Sequence, residues 1–185
     1  MTSDAALPSP LVTGLGLQLR PWCEDDLHTM VELFDNPDFA LWTPLVSPFD
    51  LDAARAYLEK SRTNRESGRV TQLAVTTDGR TPLGEVLLIP RLDEPTPAFE
   101  LAYGIGPQHR GQSLASRAVR LMTEHARNQD ASARIILRID PDNTGSQRVA
   151  QATGFHLTDE APLARERPGR TPVTLHTWAH RPEAS

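Results

Sequence analysis

Hydrophobic and polar positions alternate along LGLQLRP (15–21), and this period of two predicts an opening strand. In EDDLHTMVELFDN, Leu27, Met30, Val31 and Phe34 recur at helical spacing behind three acids, which favour the positive end of a helix dipole. A second helix is expected over DLDAARAYLEKSRTNRES, burying Leu51, Ala54, Leu58 and Tyr57 and stopping at Gly68. VTQLAVTT and PLGEVLLI flank Asp78-Gly79, a strong hairpin signal, and AFELAYGI reads as a third strand of the same sheet.

The clearest helix begins at Leu114. Leu114, Ala118, Leu121 and Met122 mark one face, and Arg117, Arg120, Glu124 and Arg127 mark the other. ARIILRID is a nearly continuous apolar run suited to a sheet centre. A short helix over SQRVAQAT ends at Gly154, and FHLTDE and VTLHTWAH close the chain as strands. The expected order is β-α-α-β-β-β-α-β-α-β-β, an α/β (α+β) class with antiparallel strands first and one βαβ crossover in the second half.

A length of 185 residues with 38% apolar and 23% charged positions fits one globular domain, expected at residues 15–181 between loose tails at 1–14 and 182–185. A formal charge of −5 argues against a general nucleic-acid binder. Neither a signal peptide nor an apolar run long enough to span a membrane is present, and Cys23 has no partner for an intramolecular disulfide. A cytoplasmic location and a structural role for the Cys23 thiol are expected.

QHRGQSLA (108–115) joins a strand to a helix, where the first N–H groups lack intrahelical acceptors and the dipole adds positive charge. Gly111 permits close backbone approach, Ser113 is small and Arg110 adds a guanidinium, a set suited to a pyrophosphate as well as to an ordinary helix cap. A P-loop is excluded by the missing lysine. A dinucleotide fingerprint is excluded by the spacing of Gly104, Gly106 and Gly111 and by Pro107.

The turn resembles the [QR]-x-x-G-x-[GA] loop of the GNAT acetyltransferase superfamily, with Gln108 and Gly111 in place and Ser113 where Gly or Ala is usual. DPDNTGSQRVAQATGF resembles the second signature of that family, and FELAYGIGPQHRGQSLA resembles the RimJ/RimL-type branch, which acetylates N-terminal amines of ribosomal proteins. The resemblance implies a GNAT fold with a mixed sheet of about seven strands whose central parallel strands splay. It implies acetyl-CoA as acyl donor, lying along Tyr103, Gly104 and Ile105. The pyrophosphate would be held by the loop Gln108, His109, Arg110, Gly111, Gln112, Ser113, Leu114 and Ala115, chiefly through N–H groups from His109 to Leu114. Asn143 would contact the pantetheine arm, and Ser146 would lie near the sulfur as proton donor to the thiolate.

Acetyl transfer to an amine requires a proton acceptor. Glu100 is the first candidate, because it shares a strand face with Ala102 and Gly104; a structural hydrogen bond is its other reading, and Glu85 is the rival base. Ser146 could instead cap its helix and Asn143 form an Asx-turn. His176 and His180 lack a third ligand, so no metal is expected. Trp42 is placed in the loop joining the first two helices, which the resemblance puts on the acceptor side, either as an aromatic wall for substrate or as a satellite of the core. Arg165, Arg167 and Arg170 are read as decoration of a flexible hairpin rather than as a lure for an acidic substrate. The expected function is acetyl transfer to a primary amine, foremost a protein N-terminus, by direct attack in a ternary complex. The alternatives are acetylation of a small amine and a non-catalytic acyl-CoA-binding module. A homodimer is allowed.

Overall fold

Strand alternation and helix caps place nearly every element where the pattern puts it. The computed structural model describes residue 8, residues 11–167 and residues 170–180; most of the expected N-terminal tail and the expected C-terminal tail lie outside them. The chain opens with β1 (Val12–Gly14), β2 (Leu17–Arg20), α1 (Leu27–Phe34), α2 (Pro37–Trp42) and α3 (Leu51–Glu66). It continues through β3 (Thr71–Thr76), β4 (Gly84–Arg91), β5 (Ala98–Ile105), α4 (Leu114–Gln129) and β6 (Arg134–Ile139). It closes with α5 (Thr144–Ala152), β7 (Phe155–Leu157), β8 (Leu163–Arg167) and β9 (Arg170–His180).

The sheet runs β1-β2-β3-β4-β5-β6-β9-β7, with β8 paired to β9 beyond this path. Among the described residues only β5 and β6 are parallel. One core lies between the sheet and α4, built on Leu114, Ala118, Leu121 and Met122 against Leu101, Ile135 and Leu137. A second lies beneath α1 to α3 and is rich in aromatic rings, with Trp22, Phe34, Phe39 and Phe49 beside Met30, Leu33 and Leu58.

Nine strands replace the expected seven among the described residues. β1 was expected as tail; it is only three residues long and reaches β2 through a tight turn at Gly14, Leu15 and Gly16, all at positive φ. β8 forms the near arm of the arginine-bearing hairpin. The segment around Trp42 is helical rather than looped: Asn36 Oδ1 caps α2 by accepting from Asp38 N and Phe39 N, both at 3.1 Å, and Pro37 occupies the first helical position.

Arg20 is a buried charge that strand alternation alone would turn toward solvent. Its guanidinium forks onto Asp26 at 2.7 and 2.8 Å and donates to the Gly79 carbonyl at 2.8 Å, pinning the β3–β4 turn to the first helix. Cys23 Sγ donates to the same Asp26 at 3.2 Å, so the thiol is structural, and burial pushes its pKa up.

Candidate active site

β4 pairs with β5 along its whole length, to Gly84↔Ile105, whereas β6 pairs with β5 only from Ala98 to Leu101. Beyond Leu101, β5 stays with β4 and β6 follows β9, from Ile136↔Ala179 to Ile139↔His176. The sheet therefore opens into a V. Along one arm, the backbone of Ala102, Tyr103, Gly104 and Ile105 has no strand partner on the β6 side. Such an edge suits a ligand that carries amide groups of its own.

A groove of about 620 Å³ fills this opening, between Tyr103, Gly104, Ile105 and the α4 turn on one side and Asn143, Ser146 and Arg148 on the other. At the turn, Ser113 takes left-handed dihedrals (φ 56°, ψ 21°) and its side chain makes no cap hydrogen bond to α4. The first intrahelical bond is Arg117 N to Ser113 O, and among the described residues the N–H groups from Gly111 to Ser116 have no protein acceptor. The N–H groups of His109 and Arg110, expected among the phosphate donors, are instead taken by Gly106 O and Pro107 O in a 3-10 turn. The donor run thus begins two residues later than the sequence suggests. Six unpaired donors at the positive end of a helix fit a pyrophosphate. Gln108 is exposed and outside the groove lining, and its backbone belongs to the 3-10 turn. Gln112 offers its N–H, while its carbonyl accepts from Arg117. Ala115 lines the groove.

Arg110 reaches across the groove mouth to Asp38 of α2 at 2.5 Å, with both side chains about half exposed. Across the V, Asn143 caps α5, its Oδ1 accepting from Ser146 N at 3.0 Å. This is the capping arrangement weighed for Asn143, and the Ser146 hydroxyl is left without a protein partner among the described residues. Tyr103 Oη donates to Ser146 O at 3.4 Å, linking the two arms, and burial pushes the Tyr103 phenol up to about 12. Sequence reading took Tyr103 for a backbone position alone; nothing in strand periodicity signals the hydroxyl's reach to α5.

A second cavity of about 140 Å³ meets the groove where Trp42, Thr43, Tyr103, Asn143 and Ser146 line both. Glu100 lies on its wall, 1% exposed, sharing its sheet face with Ala102 and Gly104. Two arginines hold its carboxylate: Arg91 Nη1 on Oε2 at 3.1 Å and Arg165 Nη2 on Oε1 at 2.7 Å.

Glu85 lies outside both cavities. It faces the aromatic core, where Tyr57 Oη (2.8 Å) and Gln72 Nε2 (3.0 Å) donate to its two oxygens. Burial pushes its carboxyl up to about 7, against the opposing effect of these hydrogen bonds.

The three hairpin arginines are not decoration. Arg167 Nη1 donates to Leu41 O at 2.7 Å, and Arg170 Nη2 donates to Thr43 O and Leu45 O at 3.1 and 2.7 Å, strapping the hairpin onto the end of α2 and the chain that follows it. His180 packs its ring on Phe155 and meets Arg127 at 3.0 Å, a structural arrangement.

The model of the acetyltransferase (GNAT) domain matches residues 16–156. The chain is 28% identical over 145 residues to the uncharacterized protein YkkB of Bacillus subtilis (strain 168), covering 77% of this chain and 83% of that one. Among solved structures it resembles the ribosomal-protein-S5-alanine acetyltransferase of Vibrio fischeri, with TM-score 0.72, 20% identity and coverage of 90% of this chain and 93% of that one. It also resembles the spermidine N-acetyltransferase of Vibrio cholerae in complex with CoA and spermine, with TM-score 0.69, 18% identity and coverage of 89% and 95%. Match and fold together place the chain in the GNAT acetyltransferases, in their RimJ/RimL-type family, with acetyl-CoA as acyl donor.

Proposed function

We propose that the chain acetylates a protein N-terminal amine by direct attack within a ternary complex. Glu100 takes the amine proton, directly or through one water, and Ser146 returns a proton to the departing thiolate. The amine nitrogen bonds the acetyl carbon as the carbon–sulfur bond breaks, and CoA leaves as the thiol. Backbone N–H groups from Gly111 to Ser116 hold the pyrophosphate, and the free edge at Tyr103, Gly104 and Ile105 pairs the pantetheine arm.

The observation that carries this reading is the meeting of two cavities at Ser146, one lined by the helix N-terminus and the other by a buried carboxylate. An acceptor entering the smaller cavity would pass Leu41 and Trp42, 51% and 37% exposed, an apolar rim that suits the side chains following a peptide's first residue. The likeness to an S5-alanine acetyltransferase agrees with a peptide acceptor.

A thiol-release assay with acetyl-CoA against amine-initiated peptides and small amines tests it. Turnover is expected with peptides, and Glu100→Gln lowers kcat by about 10²–10⁴-fold with acetyl-CoA affinity unchanged. The loss shrinks as the pH nears the amine's own pKa, where neutral amine is abundant. Ser146→Ala costs less, because water reaches the thiolate. Tight acetyl-CoA binding with no turnover on any amine overturns the reading.

A further inference from the structure

Glu100 is held from two sides, and its two partners are not equivalent. Arg91 is fixed: its Nε and Nη2 fork onto Asp93 at 3.0 and 2.7 Å, and its Nη1 reaches Glu100 from the end of β4. Arg165 comes from β8, with a side chain 37% exposed and the Glu100 contact as its one ion pair among the described residues. The strap that holds the hairpin down belongs to Arg167 and Arg170, so Arg165 is not needed for it. Arg138, on the same sheet face, gives its two terminal nitrogens to Thr177 and Glu94 and makes no contact with Glu100 among the described residues.

We infer that Arg165 keeps the place of the acceptor's ammonium on Glu100, so that the site admits amines that arrive as cations and displace its guanidinium. The inference rests on the assignment of Glu100 to the acceptor amine. A buried carboxylate stripped of its partners is costly, and a direct exchange of one cation for another leaves Glu100 compensated throughout. The contact at Oε1 lies in the smaller cavity, which Glu100 and Arg165 both line, and the more exposed partner is the one free to swing outward.

The exchange also has a return stroke. Once one ammonium proton has passed to Glu100, the neutral amine bonds the acetyl carbon, the carbon–sulfur bond breaks and a second N–H proton replaces the one Ser146 gives the thiolate; the nitrogen is then a neutral amide with no charge to hold Arg165 away. Loss of that proton from Glu100 to solvent restores the carboxylate, and Arg165 closes on it as the product departs.

The test is steady-state kinetics of Arg165→Met, which keeps the aliphatic stem, and of Arg165→Lys, at saturating acetyl-CoA with an alanine-initiated hexapeptide and with spermidine. Removing the competing guanidinium lowers the KM of the accepted amine by about 3- to 5-fold, the range of a half-exposed ion pair. The KM of acetyl-CoA is unchanged, and the lysine variant falls between. Methylguanidinium binds Arg165→Met by calorimetry and competes with the amine at concentrations that leave the wild type untouched. A raised amine KM in Arg165→Met, or no change together with no methylguanidinium binding, overturns the inference. Absence of turnover on every amine overturns the acceptor assignment separately, because methylguanidinium binding still reports whether Glu100 has a vacated cation site.

Discussion

The ring of Phe39 occupies the space that a side chain on Gly104 would need: an ideal Cβ there would stand 2.6 Å from Cε1 and Cζ of the ring. Phe39 is buried and stacks on Phe34 at 4.9 Å, so it cannot yield freely. Gly104→Ala is expected to destabilise the fold by about 1–3 kcal/mol through overpacking, and to weaken acetyl-CoA binding by disturbing the free edge of β5. Denaturant unfolding and calorimetric titration check both effects, and Phe39→Leu in the same chain restores part of each. Unchanged stability of the single variant would mean that the ring moves at no cost.

Ser113 departs from the small residue usual in the turn, and the reason this matters is its backbone rather than its bulk. A non-glycine residue at φ 56° pays a steric cost that glycine avoids. Ser113→Gly should stabilise the fold by about 0.5–1 kcal/mol, less than the whole left-handed penalty because glycine also loosens the unfolded chain. Acetyl-CoA affinity should hold or improve, since the donors at this turn are backbone N–H groups. Thermal unfolding with and without acetyl-CoA measures both; a large loss of affinity would show the hydroxyl to be a ligand.

Glu85 makes stability depend on pH. Its folded pKa of about 7 lies above the ordinary glutamate value of 4.5, so the folded state favours the protonated form. The contribution is fully present below about pH 4.5 and is lost as the pH rises through about 7, a fall of about 3 kcal/mol. Glu85→Gln should remove this slope, matching the wild type in acid and exceeding it at pH 8, provided Tyr57 and Gln72 keep their hydrogen bonds. Denaturant titrations across this range decide it, and a variant less stable than wild type at pH 8 would refute the account.

Asp38 is placed to compete with an anionic ligand for Arg110 at the groove mouth. Asp38→Asn frees the guanidinium and removes a negative charge, and acetyl-CoA should bind up to about 5-fold more tightly, the scale of an exposed ion pair. The gain should shrink at high salt, as screening dictates. Weaker binding at low salt, read by calorimetry, would contradict it.

Features carried by local pattern were legible. The parity that puts Glu100 on a face with Gly104, the apolar stripe of α4, and the Asp78-Gly79 turn are written within a few residues of chain. The cap and first residue of α2 were present as Asn36-Pro37, but six residues give too short a stripe to register as a helix. Long-range pairing was not legible. Arg167 and Arg170 find their acceptors 125 to 127 residues away, and Arg165 reaches 65 residues to Glu100, distances over which periodicity says nothing. The two-residue shift of the unpaired N–H run was hidden for another reason: only the hydrogen bonds of the 3-10 turn reveal which N–H groups are already spent.

The hairpin of β8 and β9 lies beyond residue 156, where the family match ends, yet it fastens to the stretch 41–45 near the other end of the chain. Most of the larger groove is lined instead by 103–116 and 142–149, in the middle, with residues of 38–43 closing its mouth. On the proposed reading, the outer pieces contribute to the acceptor cavity, while most of the donor groove comes from the middle of the chain. Exchange of the outer pieces is then expected to alter the amine accepted more than the handling of the thioester. A chimera carrying the hairpin and the 38–45 segment of a relative, exchanged together so that the arginine clasps are preserved, is the natural unit for such a swap; either piece moved alone would break the clasp.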